Sequence, residues 1–247
     1  MSNADLEDLV ETSDEWIASR TGIRRRHLLR EARVADLAIT ASKNALEMAG
    51  VDGADIDLVV MATSSPDDLF GDACVVGEAI GAKGAVAFDL TAACSGFLFA
   101  LVTASQFLHS GCYKKCLVVG ADALSRWVDW DDRNSCILFG DGAGAMVLEA
   151  AEDSSGSGVL GFSLHSDGAG HNCLTLGYNG EERALGGKFA VTTGRYGTMG
   201  MNGREVYKFA TREASLRVPK VLTEALDHAG MGVEDIDWLL LHQAGLL

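Results

Sequence analysis

Proline is almost absent, with two in 247 residues, while glycine is abundant at 29. The chain therefore needs tight, permissive turns but few rigid ones. Positive charge is scarce as well: 20 Lys and Arg stand against 35 Asp and Glu, a formal net charge of −15. That sign argues against general nucleic-acid binding and against anchoring on anionic lipid, and leaves room only for a local basic patch. No Asn-x-Ser/Thr sequon, no Cys-x-x-Cys pair and no G-x-S-x-G elbow occurs. The six cysteines, at 74, 94, 112, 116, 136 and 173, do not form a zinc-ligand pattern, because Cys112, Cys116 and His109 are too few and too irregularly spaced. The acidic start MSNADLEDLVETSDEW carries no apolar run and reads as neither a secretory signal nor a transit peptide. Reduced thiols in a cytosol-like compartment are expected.

What is present is the ordinary mix of a packed protein, with 48% apolar and 22% charged residues. Helix signals cover Asn3–Val10, with Asn3 as a cap, and TSDEWIASR, with Thr12 or Ser13 as a cap. Val34–Ala49 carries Leu37, Ala41, Ala45 and Met48 at helical spacing and stops at Gly50. Leu58–Thr63, Ala85–Leu90 and Cys116–Gly120 read as buried strands, and Asp72–Ile80 reads as a helix between the first two. From Asp89 to Lys114 there is no charge, a run long enough to cross a bilayer. Its Thr, Ser, Gln, His and Gly content instead suggests a helix over Cys94–Ser110, buried on all sides of an α/β core. Cys136–Phe139 and Ala145–Leu148 read as two strands joined through GDGAG, Gly140–Gly144, which lacks dinucleotide-fingerprint spacing. Beyond a turn-rich AEDSSGSG connection come an expected strand (Val159–His165), an irregular Gly-rich region to about Gly200, a long helix (Gly203–Ala229) and a strand (Asp237–Leu241). Alternating strands and helices imply a largely parallel sheet.

An internal repeat organises the chain. ALEMAGVDGADID at 45–57 and ALDHAGMGVEDID at 225–237 align without a gap. Each copy pairs a helix, a glycine stop and a short loop with an apolar run, which points to a duplicated fold.

Cys94 is the leading candidate nucleophile. It follows a strand and small residues and opens a helix, where the helix dipole and free backbone N–H groups favour the thiolate. Such a site suits acyl transfer through a thioester, and a buried structural cysteine is the alternative. His242 ends the second repeat's apolar run, where active sites of α/β sheets form. A hydrogen-bonded structural histidine is the alternative there. Trp16 and Arg20, one helical turn apart, could with Arg133 bind an adenine ring and phosphates. Arg204, Lys208 and Arg212 recur every fourth residue and form a candidate dock for an acidic partner, with a solvated helix face as the alternative.

Together these residues resemble the β-ketoacyl-acyl carrier protein synthase III family of the thiolase fold. The matching segments are TSDEWIASRTGIRRRH, FDLTAACSGF, GADALSRWVDWDDR, CILFGDGAGA, LHSDG, MNGREVYKFA and DWLLLHQA. GADALSRWVDW is closest to plastid and cyanobacterial members. The resemblance implies duplicated βαβαβαββ halves in an α/β/α/β/α arrangement, here an N-terminal half over 1–152 with the nucleophile and a second, incomplete half over 153–247. It implies an acyltransferase with no bound cofactor or metal that condenses acetyl-CoA with malonyl-acyl carrier protein through an acyl-cysteine at Cys94. His242 would hydrogen-bond the thioester oxygen, and Trp16, Arg20 and Arg133 would contact coenzyme A. Phe70, in PDDLFG, would reach across a homodimer into the partner's acyl pocket. Lys208, flanked by Arg204 and Arg212, would meet acyl carrier protein. The setting implied is plastid stroma or bacterial cytoplasm.

The family's GNTSAAS asparagine and its glycine-rich C-terminal loop have no counterpart after HQAGLL. The expectation is a truncated chain in which acylation survives in part and condensation is impaired. Two other readings stay open: a non-catalytic subunit, and another thiolase-fold condensing enzyme of hydroxymethylglutaryl-CoA synthase-like or chalcone synthase-like type.

Overall fold

The computed structural model describes residues 1–151 and 156–243. Chain order is α1 (Asn3–Glu7), α2 (Asp14–Thr21), α3 (Val34–Ala49), β1 (Leu58–Ala62), α4 (Ala73–Ile80), β2 (Val86–Leu90), α5 (Gly96–His109), β3 (Lys115–Ala123), α6 (Arg133–Cys136) and β4 (Asp141–Glu149). It continues with β5 (Leu174–Thr175), β6 (Tyr178–Gly186), β7 (Phe189–Tyr196), β8 (Gly200–Met201), α7 (Gly203–Lys208) and α8 (Ala214–Ala229).

The first four strands make one sheet in the order β2-β1-β3-β4. β1 pairs in parallel with both neighbours, Leu58 lying opposite Val86 and Cys116, and β4 closes the sheet antiparallel to β3. Helices cover both faces, which is why β1 is apolar at every position rather than alternating. Val59 and Met61 pack with Val34, Ala38, Leu46 and Val76 of α3 and α4. Leu58 and Val60 pack with Ala100 and Ala104 of α5. A third cluster of Leu6, Ile17, Val128, Cys136 and Ile137 fastens α1 and α2 to the segment around α6.

The repeat is visible in the backbone. Gly50 and Gly230 both cap their helices in the left-handed region, with φ of 64° and 67°. Val51 N donates to Leu46 O, and Met231 N donates to Leu226 O. A 3₁₀ turn follows each, Gly53–Asp55 and Val233–Asp235. After the first copy the apolar run becomes β1. After the second, residues 238–243 form no strand among the described residues, and Trp238 is 85% exposed. The expected Asp237–Leu241 strand does not form, since among the described residues no neighbouring strand offers it a ladder.

Other expectations change for identifiable reasons. Ser2, not Asn3, caps α1, and Asn3 is buried with its amide donating to Asp14 Oδ1 and Ile23 O. α1 stops at Glu7 rather than Val10. α3 has the expected bounds but turns Val34, Ala35, Ala38, Ser42 and Leu46 inward, leaving Met48 91% exposed. The helix expected over Cys94–Ser110 is a 3₁₀ turn (Ala93–Ser95) followed by α5, which buries only Gly96, Ala100 and Ala104 on the sheet. Among the described residues no helix is long and apolar enough to cross a membrane.

Residues 136–139 are not a strand, because Cys136 ends α6, and GDGAG is not a connection but lies mostly within β4. Val159–His165 forms no strand. The Gly-rich region instead folds into the β6–β7 hairpin, with Tyr178 opposite Tyr196. The long helix runs as α7, a π-turn (Phe209–Glu213) and α8. The expected half boundary at 152/153 lies outside the described residues, as does the end of HQAGLL.

Candidate active site

Cys94 lies four residues beyond the carboxyl end of β2, inside the 3₁₀ turn that leads into α5. Ala93 adopts φ 47°, the only left-handed backbone outside glycine among the described residues. That conformation is strained for a residue with a Cβ and persists only where surrounding contacts impose it. It turns the chain sharply between strand and helix and leaves Cys94 exposed rather than buried. Gly96 makes the turn possible from the other side. A Cβ placed there would lie 3.1 Å from Ala62 Cβ, so any larger residue would press α5 against β1.

The Cys94 thiol opens into a cavity of about 250 Å³ lined by Ala62, Ala93, Phe97, Asp122 and Gly142–Gly144, among others. This is the carboxyl edge of the three parallel strands, the usual place for a ligand in an α/β sheet. GDGAG thus acquires a meaning its sequence did not carry. Gly142 and Gly144 line the cavity from β4. Asp122 was also missed. The sequence signal was available, because a carboxylate ends the apolar run CLVVGA. Its Oδ1 accepts hydrogen bonds from Ser64 N (2.8 Å), Ser65 Oγ (2.8 Å) and Thr63 Oγ1 (3.3 Å).

Two of the other thiols are buried. Burial pushes the Cys116 thiol up to about 12. Burial and then Asp132 raise that of Cys136. Cys74 and Cys112 are exposed.

The third cluster brings Trp16, Arg20 and Arg133 together. Ser13 caps α2 through Trp16 N, and Ile17 buries the next position, which fixes the ring. The Arg20 and Arg133 guanidinium carbons lie 4.5 and 4.7 Å from the Trp16 ring centroid. Arg133 Nη1 also donates to Glu11 O at 2.9 Å. Ser13, Glu15, Trp16, Ser19 and Arg20 line a depression of about 270 Å³. A cationic, aromatic surface of this kind stacks flat rings and holds phosphates.

The remaining expected residues lie apart. His242 is exposed and does not line the Cys94 cavity. Phe70 is 100% exposed on the loop between β1 and α4, beside exposed Leu69. Lys208 is half-buried and donates to Glu205 Oε1 at 2.6 Å, holding that carboxyl below its ordinary value. Arg204 is exposed, and Arg212 falls in the π-turn, where the four-residue spacing no longer keeps one face.

Comparison with known proteins points to one family. The family model for 3-oxoacyl-acyl-carrier-protein synthase III matches residues 88–168, which contain Cys94 and the GDGAG rim. The β-ketoacyl-acyl-carrier-protein synthase III of Acaryochloris marina is 57% identical over 245 residues, 99% of this chain and 72% of that protein. The synthase III of Thermosynechococcus vestitus is 56% identical over the same shares. The crystal structure of 3-oxoacyl-acyl-carrier-protein synthase III from Aquifex aeolicus superposes with a TM-score of 0.84 at 39% identity, covering 99% of this chain and 72% of that one.

Proposed function

The chain belongs to the β-ketoacyl-acyl-carrier-protein synthase III family, and from that premise we propose a role for each residue of the cavity and the ring stack. The family is one of thiolase-fold condensing acyltransferases, and its reaction opens fatty acid synthesis by joining acetyl-CoA to malonyl-acyl carrier protein. Cys94 Sγ attacks the thioester carbonyl of acetyl-CoA, and the coenzyme A thiolate leaves. Malonyl-acyl carrier protein then loses CO₂, and the resulting enolate carbon attacks the acetyl-cysteine. Acetoacetyl-acyl carrier protein forms as Cys94 departs as thiolate.

The observation that carries this reading is the exposed Cys94 thiol, set in a strained strand-to-helix turn at the carboxyl edge of the sheet. The cavity of about 250 Å³ has room for a two-carbon acyl group on Cys94. Trp16, Arg20 and Arg133 take the adenine and phosphates of coenzyme A. With Arg133 4.7 Å from the Trp16 centroid, a ring stacked between them requires that arginine to swing outward to about 7 Å, twice an ordinary stacking distance. We assign His242 the hydrogen bond to the thioester oxygen from its place in DWLLLHQA alone, since it stands exposed and outside the Cys94 cavity.

Phe70, fully exposed on its loop, suits insertion into a second copy of the chain in a homodimer. Arg204 and Lys208, on one short helix, meet the acidic carrier protein, and Arg212 follows them in the π-turn. The cyanobacterial relatives support a bacterial cytoplasm or plastid stroma as the setting.

The two half-reactions, assayed separately, test these roles. Cys94→Ala abolishes acetyl transfer. His242→Ala slows condensation by about 10²-fold or more, the scale of one lost transition-state donor, and slows acetylation less. Equal slowing of both steps contradicts the histidine assignment, and undiminished acetyl transfer in Cys94→Ala contradicts the whole.

A further inference from the structure

The strained turn at Ala93 needs something to hold it, and a polar chain that starts on Asp122 of β3 crosses the end of β1 and reaches Thr91, two residues before Ala93. Beyond β1, residues 63–65 are tied to both flanking strands. Thr63 N donates to Leu90 O of β2 at 3.1 Å. On the other side, Asp122 Oδ1 of β3 accepts from Thr63 Oγ1, Ser64 N and Ser65 Oγ. Ser65 Oγ in turn accepts from Ala123 N at 2.7 Å, and Ser65 is 1% exposed. One link then leaves this knot toward the nucleophile: Ser64 Oγ and Thr91 Oγ1 share a hydrogen bond at 3.2 Å. Thr91 is followed by Ala92, Ala93 and Cys94, so it is the last side chain with a polar group before the thiol.

We infer that Asp122 is a positioning residue for Cys94, acting through Ser64 and Thr91. The inference rests on the assignment of Cys94 as the acyl acceptor and extends it to a specificity of placement. The carboxylate fixes Ser64 by its backbone N–H, and so presents the Ser64 hydroxyl to Thr91. Thr91 fixes the start of the turn, and Gly96 against Ala62 fixes its end. With both ends held, the sulfur keeps one position in the cavity. A misplacement of about 1 Å costs up to about 10²-fold in rate, so loosening one end of the turn is readable.

The test uses the whole protein and substitutions that remove single groups. Thr91→Val deletes only a hydroxyl, and Ser64→Ala only its partner. Each is expected to slow acetyl transfer to Cys94 about 10-fold at saturating acetyl-CoA, with KM for acetyl-CoA within twofold of the unsubstituted protein. Because both break the same bond, the double variant is expected to be no slower than either single one. Asp122→Ala slows the same step at least as much, and Asp122→Asn, whose amide oxygen can accept the same bonds, recovers most of the loss. Rates within twofold of the unsubstituted protein in Thr91→Val and Ser64→Ala overturn the inference, as does a multiplicative double variant or a KM that rises in step with the fall in kcat. Mapping the acetyl group in the unsubstituted protein separates the two claims. An acetyl group on a residue other than Cys94 overturns the nucleophile assignment and this inference with it. An acetyl group on Cys94 with unaffected variants overturns this inference alone.

Discussion

Gly96→Ala puts the packing of the Cys94 turn to a quantitative test. The backbone poses no obstacle, since Gly96 has φ −53° and ψ −45°, open to any residue. Helix propensity alone would favour alanine by up to about 1 kcal/mol. The neighbour decides otherwise. The new Cβ would sit 3.1 Å from Ala62 Cβ, several tenths of an ångström inside the usual carbon–carbon separation of about 3.5–4.0 Å. Ala62 cannot retreat, because β1 is hydrogen-bonded to β2 on one side and β3 on the other. The helix must lift instead, and overpacking of this kind costs about 1–3 kcal/mol. A net loss of about 1–2 kcal/mol is expected in urea unfolding. Acetyl transfer should slow as well, because the lifted helix carries the Cys94 turn. Ala62→Gly removes the opposing Cβ at an intrinsic cost of about 0.5–1 kcal/mol. The Gly96→Ala/Ala62→Gly double variant should then be more stable than the sum of the single losses by about 1 kcal/mol. Additivity within about 0.5 kcal/mol would refute the reasoning, since distant or non-touching sites add to that precision.

Three further outcomes follow from the geometry. Trp16→Ala should raise KM for acetyl-CoA about tenfold with kcat changed less than threefold, as loss of a stacking surface worth about 1–2 kcal/mol requires; steady-state kinetics check it. Iodoacetamide near neutral pH should modify Cys94 first and Cys116 and Cys136 last, because burial raises the latter two; peptide mass spectrometry reads the order, and a faster Cys74 or Cys112 contradicts it. Asp57 Oδ2 accepts hydrogen bonds from Lys114 N and Lys115 N, which hold its carboxyl below the ordinary value. Its contribution to stability is therefore present above the unfolded carboxylate value of about 3.9 and lost as pH falls through the lower folded value, so Asp57→Asn should flatten the acid limb of a urea-midpoint profile.

The parts of the fold that were legible in sequence are those fixed by local chemistry. α3 has the bounds that its glycine stop and periodicity predicted, and the repeat at 45–57 and 225–237 reappears as two glycine caps with matching φ. The uninterrupted apolar run of β1 announced burial on both faces. What was not legible depends on partners far along the chain. Phe189–Tyr196 looks irregular until it meets Tyr178–Gly186. WLLLH has the composition of β1 but no ladder among the described residues.

The site divides in the same way. The exposed turn at Cys94 was foreshadowed by its position between strand and helix, and the stacking of Arg20 on Trp16 by helical spacing. Arg133 joins that pair because Leu6 and Ile17 pack against Cys136 and Ile137. The GDGAG rim and Asp122 come to the cavity only through the register of β3 with β4 and the reach of residues 63–65.

The most direct measurement is the location of the acyl group. The protein is incubated with isotopically labelled acetyl-CoA, quenched in acid, digested, and its peptides sequenced by mass spectrometry. The account predicts the label on the sulfur of Cys94, with one coenzyme A released per acetyl group retained. Label on any other residue, or release of coenzyme A without label on the protein, would contradict it.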